Sequence, residues 1–145
     1  MGKQVKEHHW TAGIKPNNKK YFGFIYEIYN IIDGKHYIGC KQFYKYKKQG
    51  RTITYKITGE SDWRSYMGSN VALKNDIKRY GKDHFTFKIL KHTPNRGMHR
   101  YLETEMIVKR GAILPKNKDK YYNGQLSAIK YRLTNDLVNG LKKEK

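Results

Sequence analysis

The chain has 145 residues, which is enough for one domain with a modest core that needs no disulfide or metal to hold it. It carries 31 Lys and Arg residues against 12 Asp and Glu, a formal net charge of +19 at pH 7. This charge favours an anionic partner, with nucleic acid as the leading interpretation and an anionic membrane surface as the alternative. The sequence has no run of about 18 apolar residues, so we expect no transmembrane helix.

Two further features of the sequence concern the cellular compartment and the first 20 residues. A lone cysteine, Cys40, cannot form an intramolecular disulfide and suits a reducing compartment, so we expect a cytoplasmic protein. Residues 1–20 have few large apolar side chains and no signal-peptide pattern. We therefore predict a flexible basic arm in which His8 and His9 stay solvated rather than binding a metal.

A β-hairpin is predicted at the start of the domain. Residues 22–30 and 35–41 are rich in β-branched and aromatic residues, and Asp33-Gly34 between them is the signal of a two-residue turn. With that turn, Tyr26 and Tyr37 point to the same face but are offset by four residues, roughly 13 Å. A looser loop or a bulge would bring the two phenols nearer.

Three more elements are predicted after the hairpin. Residues 42–60 are polar, basic and unperiodic, which indicates an extended loop or a ribbon on the surface. Ser69-Asn70 and Gly81 bracket a helix with an apolar stripe. Alternating apolar residues from Phe85 to Ile89 then predict a third strand.

Residues 98–112 predict a helix with one carboxylate on its apolar face. At about 100° per residue, Glu105 falls inside the stripe and Glu103 points the other way. The stripe consists of Met98, Tyr101, Leu102, Val108 and Ala112. A carboxylate among apolar neighbours is costly unless it meets a cation, a hydrogen-bond donor or a metal. Glu105 is therefore a candidate metal ligand or catalytic group, and a salt bridge to Lys or Arg is the alternative.

The chain ends with leucines at helical spacing, which predict an amphipathic helix over residues 126–145 packed on a domain of residues 21–125.

Tyrosine is unusually frequent, with 13 residues, and several alternate with lysines, as in Tyr44-Lys45-Tyr46-Lys47. Interleaved rings and cations can stack on bases and contact phosphates. These tyrosines can equally be surface residues whose rings pack against a small core while their hydroxyls face water, and the sequence leaves both interpretations open.

The carboxylate, the phenols and the basic charge suit phosphodiester hydrolysis. That reaction needs a water nucleophile, a group that orients or deprotonates it, and positive charge on the transition state. A divalent ion on Glu105 would supply charge, and Mg²⁺ accepts one protein carboxylate with waters and phosphate oxygens. Arg64 beside Trp63 can hold a phosphate at two points, and Asn123 can donate or accept a hydrogen bond near the site.

These residues resemble the GIY-YIG nuclease family. The match consists, in chain order, of Phe24-Ile25-Tyr26, Tyr37-Ile38-Gly39, Glu105 inside a helix after the third strand, and Tyr122-Asn123. Within that family the chain resembles small phage proteins described as homing-like endonucleases. That likeness is carried by Ser61-Asp62-Trp63-Arg64, Tyr66 and Gly68-Ser69.

The resemblance implies an α+β fold in which a three-stranded antiparallel sheet is flanked by helices. It also implies hydrolysis of double-stranded DNA with one divalent ion, Mg²⁺ or Mn²⁺, in the cytoplasm of the host cell. By this analogy Tyr26 and Tyr37 manage the attacking water, Glu105 binds the metal and Asn123 supports the site. The alternative is a module on the same scaffold that binds DNA or RNA without cutting it.

The sequence departs from the family pattern at two places. Phe24 stands where the first motif has a glycine, and Lys47 stands where the family has an arginine. The cationic role could therefore fall to Arg64, Lys41 or Lys47. We favour Arg64, because a planar cation with two parallel donors suits a phosphate better than a point charge.

Overall fold

A computed structural model describes residues 7–50, 55–124 and 135–136 of the chain. Its main feature is a mixed four-stranded sheet with the strand order β1-β6-β2-β3. These strands span Ala12–Gly13 (β1), Gly23–Asn30 (β2), Lys35–Gln42 (β3) and Phe85–Thr93 (β6). The helix predicted over residues 126–145 lies outside the described part of the chain, apart from residues 135–136.

Strand β2 is the centre of the sheet and runs antiparallel to both β3 and β6. All its residues except Tyr29 are buried, because both faces are covered. These three strands form the predicted antiparallel sheet. The predicted sheet lacked one strand, because the short β1 pairs in parallel with β6 at Ala12 and Gly13.

The described residues between 44 and 60 form a surface ribbon, one of the two predicted alternatives for residues 42–60. Within them, β4 (Tyr44–Lys48) and β5 (Tyr55–Glu60) make a separate two-stranded antiparallel sheet. The register pairs Tyr46 with Ile57 and Lys48 with Tyr55, and a bulge interrupts it next to Tyr46. Apolar alternation is weak here because the ribbon contributes little to the core, which is why the sequence did not separate a strand from a loop.

The hairpin between β2 and β3 corrects the predicted register. Tyr26 pairs with Gly39, Ile28 pairs with Tyr37, and residues 31–34 form the loop. The Asn30 side chain accepts hydrogen bonds from the backbone N–H groups of residues 32 and 33, which stabilises this longer turn. The two-residue turn at residues 33–34 was therefore wrong. The register moves by two residues, so the predicted face is kept and the two tyrosines become diagonal neighbours.

Two helices cover the sheet. Helix α1 (Val71–Tyr80) begins after Asn70, whose side chain accepts a hydrogen bond from the Leu73 N–H, and ends at Gly81, as the sequence predicted. Helix α2 (Arg96–Arg110) begins two residues earlier than predicted and ends at Gly111 in a left-handed conformation. None of the helices in the described residues is long and apolar enough to cross a membrane.

Alternation along β2 divides the core into two clusters. Phe24, Tyr26 and Ile28 share a cluster with Leu73 and other residues of α1 and β6. Ile25 on the opposite face packs with side chains of α2 and the segment after it, including Leu102, Ile107 and Ile113. The tyrosines of the candidate site thus belong to a face that also carries a packed core.

The predicted basic arm is packed against the sheet over residues 7–20. Trp10 is 2% exposed and touches Phe24 and Tyr26 with its ring, while its indole N–H donates to the Trp63 carbonyl oxygen. His9 stacks on Phe87 at 4.0 Å between ring centroids. The expectation of an unpacked arm with solvated histidines was wrong here, because one large indole buries enough apolar surface to order the segment.

Candidate active site

Tyr26 lies at the centre of the candidate site. Its ring is 1% exposed and lies over Gly39 of β3, and its centroid is 6.1 Å from that of Tyr37. The Tyr26 hydroxyl makes no hydrogen bond to any described residue. Burial and the neighbouring Tyr37 raise the pKa of Tyr26 well above its usual value, so the phenol is neutral at physiological pH.

Tyr37 and Tyr66 extend the phenol cluster to three rings. The Tyr37 hydroxyl lies 3.4 Å from the Ser69 hydroxyl, and the Tyr66 ring meets Tyr26 edge-on at 6.1 Å. Burial raises the pKa of Tyr37, and the negative charge of Glu103 raises it further. Tyr66 was part of the sequence resemblance but was not assigned to the site, because its distance from Tyr26 along the chain gives no indication of contact.

The inward carboxylate of α2 is Glu103, and the predicted orientation of Glu105 is wrong. Glu105 is exposed, whereas the Glu103 side chain is only 15% exposed. Glu103 also acts electrostatically on Tyr26, Tyr37 and Cys40. The α2 carboxylate whose charge acts on both predicted phenols is therefore Glu103, two residues before the predicted one.

The orientation of Glu105 was predicted wrongly because the wrong apolar side chains of α2 were taken as its buried face. Met98, Tyr101 and Val108 were included in the predicted stripe, but they are 38%, 59% and 59% exposed. The buried residues of α2 are His99, Leu102 and Ile107. At about 100° per residue, Glu103 lies in the middle of that face. Ile107, which the predicted stripe omitted, was the signal that would have identified Glu103.

Glu103 has close polar neighbours on two sides. Burial raises the pKa of the Cys40 thiol, and the Glu103 charge and a hydrogen bond to Glu103 raise it further. On the solvent side, Arg100 approaches Glu103 at 4.0 Å through a side chain that is 70% exposed. A contact at that distance and exposure is weak. The carboxylate is thus held near the phenols without being locked onto a cation.

The three candidate cations lie in different surroundings. Lys41 Nζ is 4.0 Å from the centre of the Tyr66 ring and 2.6 Å from Asp62 Oδ1, so it is close to the phenol cluster. Arg64 stacks on Trp63 and binds Glu60 at 2.6 Å, away from the phenol pair. Lys47 is exposed on the β4–β5 ribbon. The structure brings Lys41 to the phenols, and the sequence preference for Arg64 has no support from the geometry.

Asn123 binds the backbone next to Tyr37. Its side-chain oxygen accepts from the Ile38 N–H at 3.0 Å, and its amide donates to the Ile38 carbonyl at 2.8 Å. The residue is 4% exposed. Asn123 therefore holds the β3 backbone next to Tyr37, and its supporting role in the site stays a prediction.

Open clefts border the phenols on two sides. One, of about 260 Å³, is lined by cationic side chains that include Lys41, Lys45 and Arg100, together with Tyr66. The other, of about 490 Å³, adjoins Tyr37 and the start of α1. A phosphodiester can approach the cluster from solvent, and the cations of the smaller cleft would attract it.

The residues fit a hard divalent cation held by one protein carboxylate. The described residues contain no group of three or more His, Cys, Asp and Glu side chains that could hold a metal. Glu103 nevertheless offers a carboxylate that is 15% exposed and lies 4.0 Å from Arg100, a residue that lines the smaller cleft. Mg²⁺ is commonly bound through one or two carboxylates, with waters and substrate phosphates completing the shell.

The fold and this site define a small α+β domain with two adjacent phenols, one inward carboxylate and a basic surface. Comparison with known families agrees, since the family described as "Putative endonuclease segE, GIY-YIG domain" matches residues 5–126. The match covers most of the chain. The protein therefore belongs to the GIY-YIG family.

A curated relative of the chain carries the same segE name as the matched family. Over 102 residues the chain is 31% identical to "Putative endonuclease segE" of Enterobacteria phage T4. The aligned region covers 70% of this chain and 40% of that relative, so the chain spans less than half of the relative's length. No solved structure matches the chain.

Proposed function

We propose that the protein is a divalent-metal-dependent DNA endonuclease that hydrolyses phosphodiester bonds in double-stranded DNA, of the homing-like phage type that its sequence resembles. The observation that carries the proposal is Glu103, a mostly buried carboxylate of α2 whose negative charge acts on both Tyr26 and Tyr37. Family membership and the +19 charge support it. Glu103 replaces Glu105 as the proposed metal ligand.

The phenols would handle the attacking water. Tyr26 has an unpartnered hydroxyl among the described residues, and Tyr37 has one long contact with Ser69, so both can bind a water or a phosphate oxygen. Their raised pKa values keep them neutral, so each can donate one hydrogen bond and accept another. Tyr37, the less buried of the two, would orient the water through its hydroxyl oxygen, and the proton that the water loses would pass to solvent or to a phosphate oxygen.

The charges would act on the phosphate. A divalent cation held by Glu103, Mg²⁺ or Mn²⁺, would supply positive charge to the phosphate oxygens and would offset the carboxylate charge that raises the pKa of Tyr37. Lys41 would add a cation from the side of Tyr66 by exchanging its Asp62 partner for a phosphate. Asn123 would hold Tyr37 in place through the Ile38 backbone.

A module that only binds nucleic acid is the competing function. It would use the basic surface, and its affinity would fall with salt in the same way. Glu103 favours the enzyme, because a mostly buried carboxylate whose only cation contact is a weak one with Arg100 among the described residues would weaken phosphate binding in a surface that serves only to bind nucleic acid.

The decisive experiment compares two carboxylates on one helix. Glu103→Gln is expected to lower Mg²⁺-dependent cleavage of supercoiled plasmid at least about a hundredfold, because a metal ligand supports several kcal/mol of transition-state stabilisation. The matched control Glu105→Gln alters an exposed residue and should cut at the native rate. DNA affinity of both variants without divalent ions should be retained. Equal activity of Glu103→Gln and native protein, or no cleavage by native protein with any divalent ion, would exclude the proposal.

A further inference from the structure

A second surface feature lies outside the phenol cluster. The β4–β5 ribbon, the segment before β2 and the start of α2 enclose a groove of about 410 Å³. We call it the aromatic groove. Its rings come from Tyr21, Phe22, Tyr44, Tyr46 and Tyr55. Tyr21 and Tyr44 also pack against the core, whereas Tyr55 is exposed.

Arg96 organises these rings from the first turn of α2. Its guanidinium lies 4.0 Å from the centre of the Tyr55 ring, 5.0 Å from that of Tyr46 and 5.3 Å from that of Phe22. Arg96 is exposed and makes no hydrogen bond or ion pair with a described residue. A cation with its donors free and its flat face on three rings can hold a phosphate while the rings take a base.

The charge of the groove is of one sign. Lys19, Lys20 and Arg96 line it, and no carboxylate does so within the described residues. Tyr55 is 46% exposed and Ile57 on the same strand is 53% exposed, so the rim is apolar and open. Exposed rings among cations complement a polyanion that carries flat apolar groups, and single-stranded nucleic acid has that chemistry.

The groove also has a fixed relation to the candidate site. Arg96 and Glu103 are seven residues apart on α2, which is close to two turns, so they share one face about 10 Å apart. Arg100 lies between them and reaches toward Glu103. One DNA strand can therefore reach both the aromatic groove and Glu103 at the same time.

We propose that the aromatic groove binds an unpaired nucleotide of the DNA, stacking its base on Tyr55 and Tyr46 while Arg96 contacts its phosphate. The groove would then recognise a single-stranded or locally opened segment close to the bond that is cut. Bases in an intact duplex are stacked on each other and cannot reach these rings. This inference rests on the proposed function in taking DNA as the polymer.

The test measures base-dependent binding in EDTA, so that no cleavage occurs. The probes are a single-stranded DNA of about 16 nucleotides and an abasic strand of equal length, which keeps the phosphates and lacks the bases. Native protein is expected to bind the normal strand about tenfold more tightly than the abasic strand, the effect of one base–ring stack. In Tyr55→Ala that ratio should fall to near one, while Tyr55→Phe keeps it.

The control variant is Tyr101→Ala, which removes an exposed tyrosine of α2 that contacts no other ring or cation among the described residues. It should keep the native ratio. If Tyr55→Ala fails to fold, Tyr55→Leu keeps the apolar volume without the ring and should show the same loss. Equal binding of normal and abasic strands by native protein would overturn the inference, as would the same loss in Tyr101→Ala or tighter binding of single-stranded RNA.

The two proposals can fail separately. Absence of plasmid cleavage with retained base-dependent binding would exclude the nuclease and leave the groove as a DNA-binding surface. Cleavage with no preference for the normal strand would exclude the groove as a base-binding site and leave the nuclease intact.

Discussion

Tyr26 and Gly39 are cross-strand partners, and the tyrosine ring lies directly over the glycine. A Cβ on residue 39 would be 2.5 Å from Tyr26 Cζ, a distance that real Cβ atoms do not show. Gly39→Ala must therefore displace the ring or separate the strands, and we expect it to lower the free energy of unfolding by about 1–3 kcal/mol. It should also abolish cleavage at temperatures where the variant is fully folded, because the phenol moves.

Gly59→Ala is the matched control for this change. Gly59 also lies in a strand, and a Cβ there would meet nothing within 4 Å. Urea unfolding and plasmid cleavage of both variants check the prediction. A native rate of cleavage in Gly39→Ala would show that the position of Tyr26 over Gly39 does not matter for activity.

The hairpin and the helices show which parts of the fold could be predicted from the sequence. The three long strands β2, β3 and β6, the cap at Asn70 and the shared face of Tyr26 and Tyr37 were predicted from alternation and turn residues, which are local signals. The register was missed because Asn30 binds the backbone of its own loop. A turn stabilised by a side chain from the preceding strand has no fixed length in the sequence.

The carboxylate and the cation were missed for a different reason. Both Glu103 and Glu105 lie in a helix with apolar residues on more than one side, and only packing against β3 decides which side is buried. Lys41 and Tyr66 belong to different elements, and their contact is created by the fold alone. The motifs and the family resemblance that they carry predicted nuclease chemistry, but the assignment of individual residues depended on tertiary contacts.

Lys41 is predicted to matter more for cleavage than Arg64 or Lys47. Lys41→Ala should lower kcat/KM by roughly a hundredfold, since it removes a cation beside the phenols from a partly desolvated site. Arg64→Ala should mainly reduce stability, because Arg64 packs on Trp63 and binds Glu60. Lys47→Ala should change only salt-dependent affinity. Single-turnover cleavage with excess enzyme separates these effects, and an inactive Arg64→Ala with native stability would restore the sequence-based choice.

Asn123 is predicted to act through Ile38 rather than on the substrate. Asn123→Ala leaves a buried N–H and a buried carbonyl of Ile38 without this partner, which should lower the free energy of unfolding by about 3 kcal/mol. Amide exchange of Ile38 should become faster, and kcat should fall while metal affinity is kept. Unchanged exchange at Ile38 together with a lost rate would instead indicate direct contact with the DNA.

His99 is predicted to make the protein acid-sensitive. Burial and the nearby cations Arg100 and Arg96 lower the pKa of His99 to about 4, and its Nδ1 lies 2.8 Å from the Thr93 hydroxyl. The unfolded chain takes up a proton near pH 6.5, whereas the folded chain does so only near pH 4. The unfolded state thus binds more protons between these values, and stability is lost as the pH falls through this window.

The loss attributable to His99 between pH 7.5 and pH 5 is about 2 kcal/mol. His99→Gln cannot take up the proton but can still hydrogen-bond Thr93, so the drop in unfolding free energy between the two pH values should shrink by about that amount. His84→Gln, at an exposed position on the same domain, should leave the drop unchanged. Urea unfolding followed by tryptophan fluorescence measures both, since Trp10 and Trp63 are buried in the core. An identical drop in native protein and His99→Gln would place the acid sensitivity elsewhere, His9 being the next candidate because burial also lowers its pKa to about 4.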